Sequence, residues 1–209
     1  MADVLNVVGL GGSLAQTSRS LAALRVALEG ASEAGAATTL LDLRELGLPM
    51  YNPDDEREPP PAASRLIEAC YAADGMLWSS PMYQGTISGA FKNALDWLHP
   101  LGSREPPFLH DEVIGLISAA GGTQGLQVIN TMEFAVRALR GWAVPYVTPV
   151  ASAFRVFDSA GQITDEGVEL QLRTLGAEVV RVATRFTSDA TLQRARECEE
   201  SAERVAALA

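Results

Sequence analysis

Within ten residues of one another, Gly11-Gly12-Ser13-Leu14-Ala15-Gln16-Thr17-Ser18-Arg19-Ser20 assembles two glycines, four hydroxyls and one arginine. Hydroxyls and open backbone N–H groups at the start of a helix, with one cation beside them, hold a phosphate without a metal. Ordinary helix capping needs a single hydroxyl, so four exceed what a structural turn requires. Two better-known phosphate loops do not fit. A P-loop needs Gly-Lys-Ser/Thr after a four-residue gap, and this segment has no lysine. A dinucleotide fingerprint begun at Gly9 would need glycine where Leu14 stands, although Asp42 lies where a ribose-binding acid would belong.

A second stretch, Ser80-Pro81-Met82-Tyr83-Gln84-Gly85-Thr86, joins a proline, an aromatic and a tight glycine turn. Such a turn offers backbone N–H groups beside a flat apolar surface, which suits the edge and face of an aromatic ring system. A third, Ala119-Ala120-Gly121-Gly122-Thr123-Gln124-Gly125, exposes backbone with almost no side-chain bulk, so a ring can approach closely. Nothing in the chain pairs a nucleophile with a base, or two carboxylates, in a catalytic pattern. The histidines, His99 and His110, are too few to build a metal site, and Cys70 and Cys198 form no CxxC, reading as reduced thiols. No catalytic side chain and no metal ligand is therefore assigned.

The elements that must position these loops alternate. Val4–Leu10, Thr38–Leu43, Gly75–Ser80, Val113–Ala120 and Val144–Ala153 are short apolar runs of strand type; Pro145 and Pro149 make the last irregular or place it at an edge. Between them lie amphipathic stretches: a helix from Ser18, Ala62–Ala73, Ser88–Leu98, a helix through Ile129, Met132, Val136 and Leu139 that Gly141 closes, and a long one from Thr164 through Val168, Leu172, Leu175, Val179, Val182 and Phe186. Five strands alternating with five helices, joined by right-handed crossovers, wind into an α/β fold with a parallel sheet covered on both faces. In such a sheet ligands sit beyond the carboxyl ends of the strands, where the three loops fall.

The 209 residues suit one domain over 1–187 with a charged, alanine-rich peripheral helix or tail over 188–209. At 47% apolar residues the chain can bury a core, and a net charge of −10 argues against nucleic acid or an anionic membrane as a partner. No run of 18 apolar residues occurs, and the first residues lack the basic segment of a signal peptide, so a cytoplasmic protein is expected.

The residues of Ser80–Leu98, SPMYQGTISGAFKNALDWL, resemble the S-P-x-Y-x-G-x-x-x-G-x-(L/F)-K-N-A-x-D-W stretch of the NADPH-dependent FMN reductase family almost position by position. The first loop is similar to that family's G-S-x-R-x-x-S phosphate loop, the third to its glycine-rich loop, and segment order agrees over residues 4–185. The resemblance implies a flavodoxin-like doubly wound five-stranded parallel sheet binding FMN and oxidising NADPH or NADH. It places Ser13, Ser18, Arg19 and Ser20 at the FMN phosphate. Pro81, Met82, Tyr83, Gln84, Gly85 and Thr86 would lie along the isoalloxazine, with Gly121, Gly122 and Thr123 at its other edge. Lys92, Asn93, Asp96 and Trp97 would brace the second loop or face a partner subunit in a homodimer or homotetramer.

The implied activity passes hydride from nicotinamide to FMN and on to a flavin, quinone, azo dye, nitroaromatic or metal oxyanion. Two other readings stay open: a flavodoxin-like electron carrier without NAD(P)H activity, and a Rossmann-type NAD(P)-binding enzyme using Gly9–Ser13 and Asp42. Met50–Asp55 and His99–His110 are either covers of the acceptor pocket or surface connections. The chain departs from the family at Ala15, where arginine is usual. Loss of a charged contact worth ~1.5–3 kcal/mol weakens the phosphate grip by roughly tenfold to a hundredfold, with Arg19 one turn later as substitute. A loosely held flavin would suit a reductase that hands reduced FMN to a flavin-dependent oxygenase.

Overall fold

The computed structural model describes residues 4–55 and 57–206, with side chains to residue 187. Five parallel strands form one sheet in the order β2-β1-β3-β4-β5: β1 Asn6–Gly11, β2 Ala37–Asp42, β3 Gly75–Pro81, β4 Val113–Ala119 and β5 Trp142–Val150. β3 and β4 are buried at every residue, as strands covered on both faces must be. The sheet splits the core in two. Val8, Leu10, Met76, Trp78, Ile114 and Leu116 face α3 (Pro61–Tyr71), α4 (Gly89–Asp96) and α5 (Leu126–Ala138). Val7, Leu77, Val113 and Ile117 face α1 (Arg19–Glu33) and α7 (Glu166–Ala206).

The sheet is therefore the flavodoxin-like, doubly wound one that was expected, with helices on both faces. Two one-turn helices, α2 (Leu43–Leu46) and α6 (Ala153–Val156), and a 3-10 turn at His99–Ser103 join the five expected helices. Asp42, the ribose acid of the dinucleotide reading, is buried instead as the cap of α2, accepting the Arg44 N–H at 2.9 Å.

Three local expectations shift. The third strand runs one residue past Ser80, to Pro81, which pairs with Ala119. The left-handed residue after α5 is Arg140 (φ 66°), not Gly141. Gly141 serves close packing, since a Cβ there would stand 2.8 Å from Ile114 Cδ1. β5 begins at Trp142 and lies at the sheet edge, with its register shifting opposite Ile114 and Leu116. The expected division at residue 187 places its second part, 188–209, outside the described side chains; the helical backbone of α7 continues to Ala206.

α1 and α7 cross in close contact through reciprocal glycines. A Cβ on Gly176 would meet Ala27 O at 2.0 Å, and one on Gly30 would meet Arg173 O at 2.3 Å.

Candidate functional site

The order β2-β1-β3 places the winding reversal between β1 and β3, so their outgoing loops diverge and leave a crevice beyond the strand ends. A cleft of about 280 Å³ occupies it. Of the expected residues it is lined by Ser13, Ser18, Arg19, Ser20, Pro81, Met82, Tyr83 and Gly121. Gln84, Gly85, Thr86, Gly122 and Thr123 are exposed just beyond it.

At one end the three serines converge. Ser13 Oγ donates to Ser18 Oγ at 3.1 Å, and Ser18 Oγ lies 3.1 Å from Ser20 Oγ. Ser13 and Ser20 are buried, and Arg19 is exposed at the rim. Ser18 caps α1, its Oγ accepting the Leu21 N–H at 3.3 Å, while the Ala22 N–H bonds Ser18 O at 3.0 Å. The N–H groups of Arg19 and Ser20 lie in the first turn, where the helix supplies no acceptor. Serine hydroxyls, open N–H groups and the positive end of a 15-residue helix form a phosphate-sized donor set. β1 approaches β3 tightly beneath it, since a Cβ on Gly11 would stand 2.3 Å from Ser79 O.

At the other end Pro81 is buried, while Tyr83 is 50% exposed. Tyr83 and Thr86 bond each other's backbone at 3.0 and 3.1 Å around Gln84 (φ 49°) and Gly85 (φ 82°). With both central residues left-handed, this is a type I′ turn. The pairing uses the Tyr83 and Thr86 N–H groups and leaves those of Gln84 and Gly85 facing outward. Thr86 Oγ1 lies 3.3 Å from Thr131 Oγ1 of α5, which ties the turn down. Around Gly121 and Gly122 nothing stands within 4 Å of where a Cβ would be, so backbone borders open space there. A flat ring with an attached phosphate fits this combination of serine-rich end, half-exposed aromatic and bare glycine backbone.

Sequence reasoning missed Ala153 and Phe154, which also line the cleft. Ser152, left-handed at φ 46°, donates its N–H to Gly122 O at 3.0 Å, and the Ala153 N–H bonds Ala120 O at 2.9 Å. These bonds dock the loop after β5 against the glycine loop and leave Phe154 52% exposed at the cleft. Asn93 and Trp97 hold the segment after α2 rather than the second loop: both donate to Pro49 O, at 2.9 and 2.8 Å, and Asn93 Oδ1 accepts the Tyr51 N–H at 2.8 Å. Lys92 and Asp96 pair with each other at 2.5 Å on the surface of α4. Met50–Asp55 and His99–His110 contribute nothing to the cleft lining.

Among the described residues, the carboxyl whose pKa is strongly raised lies away from the cleft. Glu112, at the opposite ends of the strands, has its pKa raised to about 9 by burial and then by Asp74 and Asp111. Its Oε2 is buried with no hydrogen-bond partner.

The sequence pattern of the family described as NADPH-dependent FMN reductase matches residues 5–155. An NAD(P)H-dependent FMN reductase of Pseudomonas aeruginosa is 33% identical over 191 residues, covering 87% of this chain and 99% of that one. The NADPH-dependent FMN reductase ArsH of Acidithiobacillus ferrooxidans is 31% identical over 159 residues, covering 75% of this chain and 66% of that one. Among solved structures, FerB, a flavoenzyme NAD(P)H:(acceptor) oxidoreductase from Paracoccus denitrificans, superposes with a TM-score of 0.71 at 20% identity, over 88% of this chain and 99% of that one.

Proposed function

The chain belongs to the NADPH-dependent FMN reductase family, oxidoreductases that work with FMN and NADPH, and from that premise we propose that it passes hydride from NAD(P)H to FMN held in the cleft and on to a flavin, quinone or similar small acceptor. The observation that carries this reading is the cleft itself. A serine cluster at a helix start and a bare glycine loop stand at its two ends, joined by Pro81, Met82 and Tyr83.

Ser13, Ser18 and Ser20 would donate to phosphate oxygens, with the first N–H groups of α1 behind them and Arg19 supplying charge at the rim. Pro81, Met82 and Tyr83 would form one wall for the isoalloxazine, with Gly121 and Phe154 along the other side. FMN, when bound, supplies the redox chemistry, accepting hydride and returning electrons to the acceptor. The protein's part is to orient and polarise. N–H groups of Gln84, Gly85, Gly122 and Thr123 at the rim would favour negative charge developing on the pyrimidine side of the ring. No side chain need act as nucleophile or base.

Three finer features belong to the same reading. Tyr83, Leu126 and Phe154, exposed at 50–52%, support closure of the site by a second copy in a homodimer or homotetramer. Ala15 supports release of reduced FMN to a flavin-dependent oxygenase. Dependence on a reduced pyridine nucleotide, with Cys70 a buried free thiol, supports a cytoplasmic setting.

The test is NADPH oxidation by the FMN-loaded protein, followed at fixed NADPH with free FMN, a quinone, an azo dye and a nitroaromatic. Acceptor-dependent turnover supports a reductase. FMN binding without NADPH oxidation would make the chain an electron carrier.

A further inference from the structure

Beside the flavin cleft runs a second one, of about 410 Å³, along the outer face of α1. The two share Thr17 and Ser18, and the second includes none of the residues at the ring end of the first. Ser18, Ala22, Arg25 and Glu29 succeed one another at spacings of four, three and four, so they line one face of α1. The loop carrying Gly161–Ile163 and the start of α7 form the opposite wall. From Ser18 to Glu29 this face extends about 16 Å.

Charge along it is uneven. At the far end Arg173 is neutralised by Glu29, Glu33 and Glu169, at 2.7, 2.8 and 3.0 Å. Arg25 is exposed midway and pairs with no carboxylate among the described residues. Helical side chains lean toward the N-terminus, so its side chain leans over the turn of Leu21 and Ala22, on the side toward Ser18.

We propose that this second cleft takes the adenosine monophosphate half of FAD, so that the chain binds the dinucleotide as well as FMN. The inference rests on the flavin reading of the first cleft. A group attached to the flavin through its phosphate would leave the first cleft at the phosphate loop, where Thr17 and Ser18 border the second as well. A pyridine nucleotide must instead bring its nicotinamide to the ring end, among Tyr83 and Gly121. The charges agree. The phosphate monoester of FMN carries nearly two charges at neutral pH and meets one arginine at its loop, Arg19. In FAD each phosphate carries one charge, and Arg19 and Arg25 supply one arginine for each. Ala15 lines the first cleft and Gln16 the second, so the missing family arginine leaves the passage between them free of a long cationic side chain. Leu21, Val26 and Ile163 give the second cleft an apolar lining for a purine.

Calorimetric titration of the flavin-stripped protein with FMN and FAD in parallel tests this. FAD is expected to bind at least as tightly as FMN. Arg25→Glu, at an exposed position, should weaken FAD by about tenfold or more and leave FMN within about twofold. Gln162→Trp, filling the cleft from its exposed loop, should do the same with no change of charge. FAD binding tenfold weaker than FMN would overturn the inference and leave the flavin reading intact, whereas no binding of either would overturn both. A raised KM for NADPH in Arg25→Glu, with the FAD-to-FMN ratio unchanged, would assign the cleft to the pyridine nucleotide and overturn it too.

Discussion

Ser13 Oγ stands 3.1 Å from Ser18 Oγ, although the two side chains come from opposite ends of the loop that leaves β1. Ser18 thereby combines two tasks, capping α1 through the Leu21 N–H and joining the serine cluster at the cleft. The tasks separate by substitution. Ser18→Ala should lose about 1 kcal/mol of stability together with FMN affinity, because cap and donor disappear at once. Ser18→Asp keeps a good cap and sets a carboxylate beside the phosphate. It should retain stability within about 0.5 kcal/mol yet bind FMN more weakly than Ser18→Ala. Urea unfolding of the flavin-free proteins and FMN titration measure the two effects. Normal FMN affinity in Ser18→Asp would place the phosphate elsewhere.

Ala15 lines the same cleft without charge. Arginine there restores the family's loop, so Ala15→Arg should tighten FMN binding by roughly tenfold, the equivalent of one charge-assisted hydrogen bond. The gain should shrink at high salt, where an exposed pair is screened. Titration at two ionic strengths checks it; an unchanged affinity would mean that Arg19 already satisfies the phosphate.

The α1–α7 crossing makes a stability prediction independent of any ligand. Gly176→Ala places a Cβ against Ala27 O with backbone on both sides, so relief requires the helices to part. The expected loss is roughly 2–3 kcal/mol, at the upper end of overpacking costs. Gly89, the first residue of α4, has nothing within 4 Å of a Cβ. Gly89→Ala should be neutral or stabilise by up to about 1 kcal/mol, through lost freedom of the unfolded chain. Equal urea midpoints for the two variants would contradict the tight crossing.

How far the sequence reveals this site depends on how local each part is. The serine cluster was legible because its members fall within eight residues and cap the helix they precede. The sheet was legible because buried parallel strands such as Val113–Ala119 are continuous apolar runs. Phe154 was not, because its place at the cleft depends on a register shift at the sheet edge and on a left-handed Ser152, neither of which its residue type announces. Gly85 signalled a turn, but only the fold shows that the pairing of Tyr83 with Thr86 uses the two N–H groups and that Thr131 anchors the turn. The second cleft was hidden for a related reason: its lining joins Arg25 of α1 with Glu169 and Arg173 of α7, far apart along the chain. Arg140 took the left-handed position expected of Gly141 because the glycine is needed one residue later, packed against Ile114.

Glu112 makes the fold's stability depend on pH in a direction opposite to that of an ion-paired carboxylate. Burial first, and then the nearby Asp74 and Asp111, raise its pKa from 4.5 to about 9, and its Oε2 has no hydrogen-bond partner to stabilise the charge. Below pH 4.5 the folded and unfolded chains both carry the proton, and the group is neutral in the balance. Above it the unfolded chain releases the proton while the folded chain holds it until about pH 9, so stability falls throughout that window. One group contributes at most ~1.4 kcal/mol per pH unit, or roughly 2–4 kcal/mol between pH 5 and 8. Glu112→Gln removes the titration at nearly constant shape. Its unfolding free energy should stay flatter than that of the parent from pH 5 to 8, with the variant the more stable at the upper end. Urea unfolding at intervals across that range reads the difference in slope. Parallel curves would mean that Glu112 is ionised in the folded protein, with water or a rearranged partner stabilising its charge.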